Sequence, residues 1–185
     1  YAKSKLEGEK NILENFSKTT ILRPSVVYSV DYNFTTNLMT LLSLLPVFPL
    51  YYEGKTKFSP IHVSELCEII LEIIEKCIIE KIVECVGPEE LSFKEILEKL
   101  LFSIDKKRIL FNLPLFLAKI IIFFLEKLPK PLITQDQLTL LKYDNVISNE
   151  YKSNIDIGYK AKLRFEDEVK KYSYMWREGG EYSKK

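Results

Sequence analysis

Glycine is scarce. The chain has six in 185 residues, and Gly8, Gly54, Gly87, Gly158, Gly179 and Gly180 are spaced too irregularly to form a G-x-G-x-x-G or G-x-x-G-x-x-G turn. Such a turn brings backbone N–H groups against a pyrophosphate, so this sequence contains no cradle of that kind. Cysteine is almost as rare. Cys67, Cys77 and Cys85 include no C-x-x-C and leave one thiol over in any pairing, which fits a reducing compartment. The single histidine, His62, has no ligand-type neighbours at zinc-site spacing, so no metal centre is expected. The formal net charge is only +1, which gives no electrostatic footprint for nucleic acid. No apolar run reaches the roughly 20 residues that a membrane-spanning helix needs. The longest, Leu113 to Leu125, is interrupted by Lys119. The sequence also opens without an initiator Met or a targeting segment, inside what reads as a helix, so a fragment of a longer protein is expected.

What is present is an ordinary globular composition, 46% hydrophobic and 29% charged. Residues 1–16 carry helical spacing in Leu6, Ile12 and Leu13. Residues 19–27 read as a strand, and Pro24 places its end near Arg23. An apolar helix is expected over 37–45, stopped by Pro46. Residues 50–55 read as an extended segment turning at Gly54. Ser64 reads as the N-cap of a helix over 64–76, followed by a strand over 81–86. Ser92 with Glu95, and Thr134 with Gln137, form two capping-box patterns opening helices at 93–101 and 135–142. Residues 107–111 read as a strand, 144–153 as a loop and 165–176 as a last helix. Strand–helix alternation followed by a mostly helical end argues an α/β fold.

The stretch 113–128 admits three readings: a buried core helix, a helix lying on a bilayer with Lys119 and Lys127 at the headgroups, or a docking surface for a membrane-bound partner. The apolar helix at 37–45 could line a substrate side or face a partner. His62 could face a pocket, though a structural histidine is the more common case.

Tyr1 and Lys5 are four apart, so on a helix they share a face. The Lys charge favours phenolate, and a phenol poised nearer neutrality is a better acid or base. Such pairs are also common on plain helix surfaces. The context matters: Tyr1-Ala-Lys-Ser-Lys5, then Glu7-Gly-Glu9, then Ile21-Leu-Arg-Pro-Ser-Val-Val-Tyr28 resembles the second half of an extended short-chain dehydrogenase/reductase. Leu128 to Gln137, Asp144-Asn-Val146 and Trp176 to Gly180 resemble, more narrowly, the family of complex I accessory subunits and its bacterial relatives.

The resemblance implies the C-terminal portion of a Rossmann-type NAD(P)-binding fold, residues 1–112, with a small mostly helical region over 113–185. It implies Tyr1 as proton donor or acceptor and Lys5 on the nicotinamide ribose. Pro24, Ser25 and Val27 would pass beside the nicotinamide of a bound NADPH or NAD. The expected function is a NADPH-binding accessory or assembly subunit of respiratory complex I or its bacterial relative, placed on the cytoplasmic side of a bacterial inner membrane or in the cytoplasm, or on the matrix side of the mitochondrial inner membrane in a eukaryote. The first alternative is an active NAD(P)-dependent reductase or epimerase on a hydrophobic substrate. The second is a non-enzymatic protein contacting a membrane complex through 113–128.

Overall fold

The computed structural model describes residues 2–126 and 134–182. Tyr1 and the stretch 127–133 lie outside them. Helix α1, Ala2–Asn15, leads into strand β1, Ile21–Pro24. After β2, Val27–Tyr28, come α2, Asn33–Leu44, and β3, Val47–Leu50. A 3₁₀ turn at Tyr51–Gly54 precedes β4, Lys57–Phe58, and β5, Ile61–His62. Helix α3 spans Val63–Glu75 and β6 spans Ile82–Cys85. Then follow β7, Leu91–Ser92, α4, Phe93–Ser103, β8, Ile109–Asn112, and α5, Leu115–Leu125. The end of the chain holds α6, Gln135–Leu140, β9, Lys152–Ser153, α7, Phe165–Lys170, and a 3₁₀ turn at Ser173–Trp176.

The central sheet is parallel, in the order β1-β6-β9. Ile21 sits beside Ile82 and Pro24 beside Cys85, while Val83 and Glu84 face Lys152 and Ser153. All four residues of β6 are buried, as expected for a parallel strand covered on both faces. That includes Glu84, whose carboxylate accepts the backbone N–H of Ser148 at 2.9 Å and its hydroxyl at 2.7 Å. Two hydrogen bonds offset the desolvation that an unpaired carboxylate would suffer there. Strand β2 pairs with β5 in parallel, β3 with β8 in parallel, and β4 with β7 antiparallel. The α/β fold, a Rossmann-like parallel core with flanking helices, matches the expectation.

Two clusters make up most of the core. Val27, Ile61, Ile69, Val83 and Cys85 pack beneath α3. A larger cluster joins Met39 and Leu42 of α2, Ile96, Leu97 and Leu100 of α4, and Phe165, Val169, Tyr172 and Trp176 from the chain end. Helix α2 is therefore a core element through Met39 and Leu42, not a helix held out for a partner. Both capping boxes form: Ser92 Oγ accepts from Glu95 N at 3.2 Å, and Thr134 Oγ1 from Gln137 N at 3.2 Å. The cap of α3 differs from expectation. His62 is the N-cap and its Nδ1 accepts from Ser64 N at 3.3 Å, so the helix begins at Val63. The expected extended segment at 50–55 is a tight turn in which Tyr52, Glu53 and Gly54 all have positive φ.

Helix α5 is not the buried core helix that one reading foresaw. Among the residues of α5 whose burial is described, Ala118 and Ile122 are buried, against Tyr51 and Leu138. Phe116, Phe123 and Phe124 are more than half exposed, and Leu115, Leu117, Ile120 and Ile121 are exposed as well. Among the described residues, no helix is long and apolar enough to cross a membrane.

Candidate functional site

Open α/β sheets take ligands outside the carboxyl ends of their strands, because connections diverge there and leave a crevice. In this chain those ends are residues 24–28, 61–62 and 85–87. Three of the expected site residues fall here. Pro24 ends β1 and is exposed. Ser25 and Val27 are buried. Val27 is packed in the core beneath α3, so its side chain offers nothing to a ligand beyond the shape of the wall.

Ser25 is engaged on every side. Its N–H donates to Cys85 O at 2.9 Å. Its hydroxyl donates to Asn145 O at 2.7 Å and accepts from Ser59 N at 3.1 Å. A hydroxyl has one proton to give, and that proton is taken. Ser25 therefore knits three loops together at the strand ends. Gly87 completes the knot: its N–H donates to Ser59 O at 3.1 Å. A Cβ placed there would come within 1.7 Å of Pro60 O, so only glycine fits. Beside it, burial pushes the Cys85 thiol up to about 12, which leaves it protonated and unreactive at neutral pH.

Helix α1 carries Lys5, on the stripe that continues one turn later to Glu9. Glu9 is fixed. Arg23 of β1 reaches it with both arms, Nε to Oε1 at 3.1 Å and Nη2 to Oε2 at 2.6 Å. The guanidinium also lies 4.7 Å from the ring centre of Tyr151. A two-armed pair fixes orientation as well as distance, so the Lys5 face of α1 is held in register with β1. Tyr1, the other half of the expected proton-transfer pair, lies outside the described residues.

Tyr28 was not expected in the site and is wholly buried. Its hydroxyl donates to Leu163 O at 3.3 Å. Its ring meets Phe165 edge-on at 4.9 Å and His62 at 5.3 Å. Burial, with Glu168 and Glu65 nearby, raises its pKa, so Tyr28 holds its proton and serves as a scaffold for His62. The His62 ring is part-exposed, and Nδ1 faces Ser64 Oγ at 2.7 Å. With Nδ1 accepting the Ser64 N–H, the neutral ring carries its proton on Nε2.

Sequence reasoning also passed over the Asp144-Asn145 strap. Asp144 Oδ1 accepts from Lys57 N at 2.8 Å. Asn145 N donates to Lys57 O at 2.7 Å, and Ser59 N donates to Asn145 O at 3.2 Å. The motif was visible, but its partners are remote in sequence. A separate open cleft of ≈ 460 Å³ is lined by residues including Glu65, Glu68, Tyr159 and Leu163. Glu65 is buried there, and its Oε1 accepts from Lys162 N at 2.5 Å and Leu163 N at 3.0 Å. It thereby fixes the Leu163 carbonyl, which accepts the Tyr28 hydroxyl.

No family model matches the chain. A curated relative, the mitochondrial NADH-ubiquinone oxidoreductase 40 kDa subunit of Neurospora crassa, is 26% identical over 157 residues, which is 84% of this chain and 41% of that protein. Among solved structures, a dTDP-4-dehydrorhamnose reductase from Clostridium acetobutylicum superposes with a TM-score of 0.62 at 16% identity, covering 93% of this chain and 54% of that one. A dTDP-glucose 4,6-dehydratase from Bacillus anthracis, solved with NAD, gives 0.61 at 14%, covering 97% and 51%. A human epimerase family protein, solved with NADPH, gives 0.61 at 15%, covering 83% and 48%. The chain thus spans about half the length of these structures and less than half of the curated relative.

These likenesses show the fold of the extended reductases, epimerases and dehydratases. They also correct the leading functional expectation. The solved proteins sharing the fold are named as enzymes, among them a reductase, a dehydratase and an epimerase family protein. The accessory-subunit reading rests on one relative at 26% identity, and it is not carried further.

Proposed function

We propose that this chain is the substrate-side half of an active NAD(P)-dependent reductase or epimerase of the extended short-chain type. The observation that carries the reading is the two-armed Arg23–Glu9 pair. It locks the helix bearing Lys5 against the strand whose carboxyl end carries Pro24. A proton-transfer helix must keep a fixed distance from the strand ends, because misplacement of about 1 Å can cost a hundredfold in rate.

The residues fit a nicotinamide dinucleotide in part. Pro24 is exposed at the end of β1, which leaves the wall there open to a flat ring. Lys5 would donate to the ribose and, by its charge, favour the phenolate of Tyr1. Tyr1 would give a proton to a substrate oxygen, or take one from it. The bound cofactor supplies or accepts the hydride. Ser25 and Val27 would act through backbone position alone, since their side chains are already engaged. Anchoring of the pyrophosphate would fall to residues beyond this sequence. The exposed apolar face of α5 supports a substrate with an apolar part, or a resting place on a bilayer surface.

The test is a Tyr1→Phe variant of the protein, assayed for hydride transfer across carbonyl and alcohol substrates, with cofactor affinity measured in parallel. The expected result is a loss of about 10²–10⁴ in turnover with dinucleotide binding retained. Unchanged turnover would remove Tyr1 from the chemistry. A wild-type protein that binds no dinucleotide would sink the proposal.

A further inference from the structure

The Asp144-Asn145 strap has no part in the proton-transfer scheme, yet it lies on the carboxyl end of the central strands. It is fixed by four hydrogen bonds, three through the Asn145 backbone and one through the Asp144 carboxylate. Asn145 N donates to Lys57 O, Asn145 O accepts from Ser25 Oγ and Ser59 N, and Asp144 Oδ1 accepts from Lys57 N. Asparagine in a turn ordinarily uses its side chain to make such bonds itself. Here the main chain and Asp144 make them. The Asn145 side chain is exposed and has no hydrogen-bond partner among the described residues. The result is a carboxamide on a rigid mount, beside Ser25, at the end of the two strands that meet at Cys85.

We propose that the Asn145 carboxamide is a nicotinamide-contacting group, which takes the polar role that Ser25 cannot fill. The inference rests on the proposed function. Its chemistry is reciprocal. A carboxamide presents two donors and an acceptor, and the nicotinamide carries the same group, so the two can exchange N–H···O bonds face to face. The Ser25 hydroxyl already donates its one hydrogen bond to the Asn145 carbonyl, so Ser25 positions Asn145 and Asn145 meets the ligand. The strap would thereby set which face of the ring is presented to the substrate.

The experiment compares wild type, Asn145→Ala and Asn145→Asp by titration calorimetry. The probes are NADPH, NADP⁺ and the matching ADP-ribose phosphate, which lacks the nicotinamide; the NADH series replaces them if it binds more tightly. Losing one or two hydrogen bonds at an exposed site, Asn145→Ala should weaken the dinucleotides about fivefold to tenfold and leave the ADP-ribose fragment unchanged. Asn145→Asp places a carboxylate beside the ring, which is cationic only when oxidised. The ratio of oxidised to reduced affinity should rise about tenfold. A merely structural role would move neither the redox ratio nor the contrast between dinucleotide and fragment. If all three ligands weaken equally, or none does, the assignment to Asn145 is overturned while the proposed function stands. If the wild type binds the fragment and no dinucleotide better than it, both fall together.

Discussion

Glu9 and Arg23 meet through two hydrogen bonds, at 3.1 and 2.6 Å, between the first described helix and the first strand of the sheet. The pair is only part-exposed, and the hydrogen bond to Glu9 raises the Arg23 pKa. Glu9→Gln keeps one acceptor and loses the charge and the second. Part-exposed pairs of this geometry contribute about 1 kcal/mol. The expected outcome is a loss of about that size in urea unfolding, together with faster amide exchange along α1 than along α3. Unaltered exchange in α1 would mean that other contacts hold the helix.

Gly87 has its missing Cβ aimed at the Pro60 carbonyl. Gly87→Ala must push the Pro60–Ile61 backbone away, and with it the N–H of Ile61 that donates to Val26 O at 3.0 Å. A loss of about 3 kcal/mol or more is expected, read as a lowered urea midpoint. A neutral Gly87→Ala would show that the two loops are not locked.

Glu53 has φ of 57°, a left-handed conformation that costs an L-residue about 1 kcal/mol or more. Its ion pair with Lys55 is exposed and contributes little. Glu53→Gly should stabilise the protein by about 0.5–1 kcal/mol, seen as a higher melting temperature. The same change at Tyr52, φ 50°, would also remove a ring that packs beside Tyr51 and Ile122, so its gain should be smaller.

Glu166 lies between Lys170 at 2.7 Å and Lys99 at 2.9 Å. Their hydrogen bonds lower its pKa to about 2. A carboxylate depressed in the folded state adds stability above its unfolded pKa of about 4.3. That contribution fades as pH falls from there through 2. The melting-temperature gap between wild type and Glu166→Gln should be constant from pH 6 to 8 and should close on acidification below about pH 4. The gap should be modest, because the pair is largely solvated. A gap that widened in acid would contradict the sign.

Helix α5 offers a clean pair of contrasting substitutions. Phe116→Glu and Phe124→Glu change side chains that are 74% and 62% exposed. They should leave the fold intact, and should abolish flotation with anionic vesicles if the helix rests on a bilayer. Ile122→Glu buries a charge against Tyr51 and Leu138, and should cost several kcal/mol whatever α5 contacts. Intact vesicle binding by both exposed variants would leave substrate contact as the role of this face.

Local features were legible in the amino-acid order because their partners are three or four residues apart. The capping boxes at Ser92 and Thr134, the strand ending at Pro24 and the parallel alternation all follow from short-range geometry. One local reading failed: Ser64 looked like the cap of α3, but His62, two residues earlier, accepts the Ser64 N–H and caps the helix. Both types can accept that bond, and the strand pairing of His62 with Tyr28 decides which one does. Tertiary structure alone decided the fate of Ser25. Its hydroxyl is met by a carbonyl 120 positions away, and no sequence window contains both groups. It likewise decided that the apolar stretch of α5 stays on the surface, since periodicity shows that a helix is hydrophobic but not what, if anything, the rest of the chain leaves to cover it. The sequence by itself determined the α/β alternation and the Tyr1–Lys5 spacing. Long-range packing determined which polar atoms are consumed by the fold and which, like the Asn145 carboxamide, remain available at the ends of the strands.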